Sequence, residues 1–203
     1  KIKAINKEKA RKKLGISPST KMLLYVGHFS SNKPAKNLLS FFPALQSNGF
    51  DLYMIGGFKG HDIYDSIKKT VPNSFDRMDI NELIIYYSAA DIHVYPSDDP
   101  LFVNFSSISN ANMESLACNL PVYTSQMIHF LGDSIEKKAI GIDSGICKSE
   151  EKMINDLVEM FDNKQEYLDC RKIAKKYYNR NYNVSKIKEI YIKLNKRYKL
   201  PIK

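Results

Sequence analysis

The chain has 203 residues, with a hydrophobic fraction of 43% and a charged fraction of 26%, which suits one large globular domain. No apolar run approaches the roughly 18–20 residues that span a bilayer, and three scattered cysteines, Cys118, Cys147 and Cys170, argue against a disulfide framework or a zinc site and for a reducing, cytoplasmic setting. The formal charge of +9 comes from the two ends, since residues 14–170 hold 12 Lys/Arg against 20 Asp/Glu, and this argues against a nucleic-acid groove built into the core.

In chain order, "KMLLYVGHF" (21–29) is a short apolar run ending at a glycine and reads as a fully buried strand. "NLLSFFPALQSNG" (37–49) has apolar residues at helical spacing and Gly49 just past its end, with Pro43 set to kink or shorten it. "FDLYMIGG" (50–57) is a second strand, "HDIYDSIKKT" (61–70) a helix and "SFDRM" (74–78) a short strand. "DINELIIYYSAA" (79–90) is a helix with Asp79 as its N-cap, followed by the strand "DIHVYPS" (91–97). The polar and aromatic loop that comes next shows no period. "ANMESLACN" (111–119) is a short helix, "LPVYTS" (120–125) a strand and "KAIGIDSG" (138–145) the last strand. From Glu150 the pattern is helical to about Tyr198, with breaks at Asn163 and "NRNYN" (179–183). Apolar strands alternating with helices predict an α/β fold: a Rossmann-like parallel sheet with helices on both faces and C-terminal helices behind it.

In such sheets ligands bind outside the carboxyl ends of the strands, so the loops after Gly27, Gly57, Pro96 and Thr124 share the candidate edge. Gly27 permits a tight turn and close backbone approach, and Lys33 and Lys36 stand before the next helix, where lysine and free N–H groups suit phosphate; a solvated loop is the plainer reading. The chain lacks GxGxxG, the phosphate-binding P-loop and the GxSxG elbow. His28, His61, His93 and His129 do not fall at metal-ligand spacing, and His93, inside a strand, reads as a satisfied core residue. Glu114 lies among small, uncharged residues ahead of an apolar strand. Either the N-terminal end of its helix satisfies it, or a ligand diol does.

Taken together and in order, "KMLLYVGHF…KN", "LYMIGG", "ELIIYYSAADIHVYPS" and "NANMESLACNLPVYTS" resemble the C-terminal, donor-binding domain of retaining GT-B fold glycosyltransferases. "KEKARKKLGIS" resembles the segment leading into that domain, and "NYNVSKIKEIYIKLNKRY" its closing helices, so the likeness covers nearly the whole chain. It implies one nucleotide-sugar-binding domain over 1–203, with no metal and no cofactor, and a UDP- or GDP-sugar as donor substrate. It implies metal-independent hexosyl transfer in glycan biosynthesis, in which Lys36, Lys33 and His28 neutralise the donor diphosphate. His28 stands where the family carries Arg or Lys. Gly27, Gly57, Ser109, Asn110 and Ala111 are implied as backbone contacts to the donor. Glu114 matches the second Glu of the family's paired acids, which holds the ribose, while Ser106 stands in place of the first. Asp98 and Asp99 lie in the same loop, out of register with it.

The family's N-terminal acceptor domain has no counterpart here, so the expected partners are a nucleotide sugar and an acceptor domain or partner subunit, with no nucleic acid. The domain by itself is expected to bind donor and to transfer little. The rival reading is a degenerate, non-catalytic relative kept as a scaffold or regulator; a flavodoxin-like domain fits the periodicity but not the ordered motifs. The N-terminus has no apolar stretch behind its basic residues, so no signal peptide is expected. The basic ends are either solvated helix faces or a means of peripheral contact with a membrane surface.

Overall fold

The computed structural model describes residues 2–105, 107–130, 134–168, 170–177 and 192. Six strands form one parallel sheet: β1 (Lys21–Val26), β2 (Phe50–Gly57), β3 (Ser74–Asp76), β4 (Ile92–Tyr95), β5 (Val122–Thr124) and β6 (Gly141–Asp143). Their order is β3-β2-β1-β4-β5-β6. The chain thus winds outward from β1 on one side, then returns beside β1 and winds outward on the other. The reversal falls between β1 and β4, and a doubly wound sheet opens its ligand crevice at that point.

The helices are α1 (Lys7–Leu14), α2 (Ala35–Ser47), α3 (Tyr64–Thr70), α4 (Ile80–Ala89), α5 (Pro100–Phe105), α6 (Asn110–Ala117), α7 (Ser134–Lys138), α8 (Glu150–Asp162) and α9 (Cys170–Tyr177). They cover both faces, as the buried strands require. Alternate residues of β1 enter two cores: Leu23 and Tyr25 pack with Leu38, Phe42 and Leu45 of α2, whereas Met22, Leu24 and Val26 pack with Ala10 of α1 and Tyr87 and Ala89 of α4.

Several details differ from the sequence reading. α2 runs through Pro43 to Ser47, because its apolar face against the sheet outweighs the one backbone bond that proline removes. The loop after β4 contains α5, too short to show a period; Pro100 opens it, and Asp99 Oδ1 accepts the N–H of Leu101 at 2.9 Å. α1 was not legible from hydrophobicity, since its sequence is almost wholly charged; Asn6 caps its start and Gly15, at φ 68°, ends it. The segment read as a strand from residue 138 opens on the end of α7, and only Gly141–Asp143 pairs. The helical expectation beyond residue 177 and the break at 179–183 lie outside the described residues.

At the amino-terminal end of the sheet, Asp91 leads into β4 with its carboxylate buried. It accepts from Arg11 Nη2 (2.8 Å), Lys7 Nζ (2.6 Å), Lys164 Nζ (3.3 Å) and the backbone N–H of Met22 (2.8 Å). Burial by itself raises this carboxyl's pKa; Lys7, the Met22 N–H and Lys164 more than offset it and hold the pKa below the usual value. Arg11, equally buried, gives its remaining donors to the carbonyls of Ala89, Ser17, Pro18 and Thr20. Removing Arg11 takes the buried cation from Asp91, leaving it to the half-exposed Lys7 and Lys164, and deprives four backbone carbonyls of their donor. Arg11→Met is therefore expected to cost about 3–5 kcal/mol in urea unfolding; a loss within the ~0.5 kcal/mol typical of surface substitutions would show that the pair is not buried as described.

Candidate functional site

The carboxyl-terminal edge of the sheet carries a cleft of about 920 Å³. One wall is the end of β1 and its loop, with Val26, Gly27, His28 and Lys33, next to Ile55 and Gly56 of β2. The turn from β3 into α4 closes one side with Arg77, Met78 and Asp79, and α4 adds Ile80 and Leu83. The opposite wall is Tyr95 at the end of β4 and the first turns of α6, with Ser109, Asn110, Ala111 and Glu114.

Two glycines bring β1 and β2 together at the floor. A Cβ on Gly56, which sits at φ 117°, would lie 2.5 Å from the carbonyl oxygen of Gly27. A Cβ on Gly27 would lie 2.6 Å from the Tyr25 hydroxyl, which donates to the His28 carbonyl at 2.9 Å and fixes the loop's first residue. The backbone thus forms the floor because side chains are excluded from it.

His28 lies against His61 with ring centroids 4.8 Å apart and the ring planes tilted by 32°. His61 Nδ1 accepts the N–H of Phe29 at 3.1 Å, so that nitrogen carries no proton and the ring is fixed beneath His28. Burial first, and then His61, Lys33 and Arg77, lower the pKa of His28. Its ring is therefore mainly neutral at pH 7.5, and Lys33 and Arg77 provide the cations on this side of the cleft. Lys33 Nζ lies 5.3 Å from the centre of the Phe102 ring on α5.

The far wall is held by a buried polar network. Ser109 caps α6, its Oγ accepting from Asn112 N at 3.2 Å. Asn112 is fully buried: its Nδ2 donates to Thr124 Oγ1 (3.1 Å) and Gln126 Oε1 (3.0 Å), and its Oδ1 meets His93 Nδ1 at 3.1 Å. Gln126 Oε1 also accepts the Ser109 N–H at 3.0 Å, and Gln126 Nε2 donates to the Ser107 carbonyl at 2.7 Å. His93, read from sequence as a satisfied core residue, is satisfied on one side only: among the described residues Nε2 is buried without a partner, and burial pushes the imidazole down to about 3.

Glu114 is half-buried and accepts the hydroxyl proton of Tyr87 on Oε2 at 3.0 Å. Burial, and then Glu114 itself, raise the Tyr87 phenol far above its ordinary value, so it remains a donor at every working pH. No acid lies in the first turn of α6, and the helix dipole falls off beyond it, so the dipole explanation for Glu114 is weak. A protein donor meets one oxygen, and a diol remains a fit for the other.

The structure therefore gathers Gly27, His28, Lys33, Ser109, Asn110, Ala111 and Glu114 into one cleft. Lys36 does not line it; its Nζ is 3.9 Å from Asp98 Oδ2, both exposed. Gly57 is packed against Phe29 and Tyr64, and Gly56 takes the place at the cleft. Ser106 lies outside the described residues. Asp98 and Asp99 turn to Lys36 and to the start of α5. The sequence reading passed over Arg77 and Tyr95, although each stands at the end of a strand on the ligand edge, and that position was the available signal. Among the described residues no group of three or more His, Cys, Asp or Glu is placed to hold a metal ion.

Strand order and cleft define the doubly wound α/β class with its site at the switch point. Residues 6–177 match the family model of glycosyl transferases group 1, and the chain belongs to that family. Its fold is that of the C-terminal half of GT-B glycosyltransferases. It superposes on sucrose-phosphate synthase from Thermosynechococcus elongatus with a TM-score of 0.63 at 18% identity, covering 94% of this chain and 49% of that one. Anabaena HepE in complex with UDP-glucose gives a TM-score of 0.65 at 14% identity, with 92% and 52% covered. The catalytic domain of starch synthase IV from Arabidopsis thaliana, bound to ADP and acarbose, gives 0.63 at 13% identity, with 93% and 42% covered. The chain thus spans about half the length of these structures. Sequence comparison with curated proteins gives no match.

The floor makes a quantitative contrast. Gly145, at φ 56°, has open space around it, so Ala there meets only the left-handed backbone cost of about 1–2 kcal/mol. Gly56→Ala adds a backbone clash and is expected to lose clearly more stability in the same denaturant titration; equal losses would mean that Gly56 is not pressed against Gly27.

Proposed function

We propose that this chain binds a nucleotide-diphosphate sugar in the cleft and contributes the donor half of a retaining, metal-independent glycosyltransferase. The observation that carries the reading is Glu114: a carboxylate with one oxygen held by Tyr87, at the wall of a cleft whose other side is cationic. On this reading the second oxygen accepts ribose hydroxyls. The N–H groups at the start of α6, with Lys33, Arg77 and His28, face the diphosphate. When the bond from the anomeric carbon to the diphosphate oxygen breaks, the electron pair leaves with the diphosphate, and these donors stabilise the charge that develops there. Lys36 reaches this anion only by leaving Asp98, an exposed pair that costs little to break. The UDP-glucose complex of HepE and the ADP complex of starch synthase IV show nucleotides bound by proteins of the same fold and support the substrate class. The acceptor and the groups that act on it belong to another domain or subunit, and the basic ends suit a cytoplasmic protein peripheral to an anionic membrane.

A non-catalytic role is the second reading. Ser106 in the place of the family's first acid favours it, as does a neutral His28 in the place of a permanent cation.

Calorimetry with UDP-, GDP- and ADP-sugars tests the reading. One nucleotide series should bind, and Glu114→Ala should weaken it about tenfold to a hundredfold, the value of hydrogen bonds to a charged group; a folded chain that binds none of the three overturns it. Binding should also depend on pH with a definite sign. An anion favours protonated His28, whose pKa in the free protein lies below 6.5. UDP-glucose affinity should therefore rise as pH falls from 8 towards 6, with proton uptake, since its diesterified diphosphate does not titrate there. His28→Gln should flatten the slope, and a slope unchanged in that variant would assign it to another group.

A further inference from the structure

We infer that His93 is a positioning residue for the cleft: through Asn112 and Gln126 it fixes the backbone of Ser107–Ser109 at the start of α6. The inference rests on the donor-binding reading for its consequence on affinity, but its geometry stands without it.

Donor and acceptor accounting sets the direction of the chain. Both amide hydrogens of Asn112 are committed, to Thr124 Oγ1 and Gln126 Oε1, so Oδ1 is its acceptor and His93 Nδ1 must carry the proton. Gln126 Oε1 then accepts from Asn112 and from the Ser109 N–H, and Gln126 Nε2 is committed to the Ser107 carbonyl. Reversing the Asn112 amide would set Oδ1 against the Gln126 oxygen and place donors against the His93 proton. The Ser109 N–H and the Ser107 carbonyl thus set the direction of both amides, and His93 Nδ1 supplies the proton that Asn112 Oδ1 then requires.

The cost is visible in the same ring. With Nδ1 protonated, Nε2 is a bare acceptor, buried and without a hydrogen-bond partner among the described residues. The ring sits between Tyr87 and Tyr95, at centroid distances of 6.0 and 5.9 Å. Phenylalanine would fill this place and remove the bare Nε2, but it would leave Asn112 Oδ1 buried without its donor. What histidine supplies at 93 is therefore the proton that holds Asn112.

His93→Phe separates the two roles. A merely structural residue, once removed, loosens the fold as a whole. The inference predicts a local effect: UDP affinity lowered several-fold to tenfold, and amide exchange at Ser109 accelerated at least tenfold while Leu24 in β1 keeps its protection. His93→Gln, which can donate to Asn112 Oδ1, should restore slow exchange and affinity, and it also serves if the Phe variant folds poorly. The effects of His93→Phe and Gln126→Leu should not add, because they break one chain. Unchanged Ser109 exchange in His93→Phe, or exchange accelerated equally at Ser109 and Leu24, overturns the inference. If wild-type protein binds no nucleotide, the donor reading fails, and Ser109 exchange alone then decides whether His93 positions the loop.

Discussion

The switch point between β1 and β4 is closed at one end and open at the other, and the rest of the molecule follows from that. β1 and β2 pair along six residues, whereas β1 and β4 are in register only at Leu23–Ile92 and Leu24–His93. Asp91 secures the closed end. Its carboxylate takes the Met22 N–H, its own N–H goes to the Met22 carbonyl at 2.9 Å, and the buried Arg11 ties both to α1. Beyond His93 the two strands part, and the space between their ends is the cleft. A buried ion pair is a poor source of net stability compared with apolar packing, but it allows only one register. Here the register decides where the crevice opens.

The two walls of the cleft use different physics. The β1 side is backbone and cation: glycines pressed together, a histidine tilted against a fixed histidine, and Lys33 and Arg77 nearby. The α6 side is a helix N-terminus, oriented by a chain of amides that no solvent reaches. In that setting Glu114 is neither a surface acid nor a dipole partner. It is a carboxylate held by a buried tyrosine, and on the proposed reading the donor's ribose completes its coordination.

Much of this was legible in the sequence. Each strand was visible because apolar runs bounded by glycine and proline have few other interpretations in a chain of this length. Glu114 stood out because an acid among small neutral residues needs a partner. The partner itself was hidden, since Tyr87 is 27 residues away and reads as one more apolar position of α4. Gly56 and Gly57 could not be told apart, because which of them meets β1 depends on the twist of the sheet. The Asn112 network was invisible for a similar reason: His93, Asn112, Thr124 and Gln126 come from β4, α6, β5 and the turn after β5, and none stands out in its own segment. α5 and α1 were missed because one is too short and the other too charged for hydrophobic periodicity to register.

The central claim is that one cleft holds the whole nucleotide, with its ribose on Glu114 and its phosphates between the β1 loop and the start of α6. The most direct measurement is a crystal structure of the chain soaked with UDP. The account predicts ribose hydroxyls within hydrogen-bond distance of the Glu114 carboxylate, with Tyr87 still donating to its other oxygen, and the diphosphate facing Gly27, His28 and the N–H groups of Asn110 and Ala111. Nucleotide bound elsewhere, or bound in the cleft with Glu114 uninvolved, would contradict it.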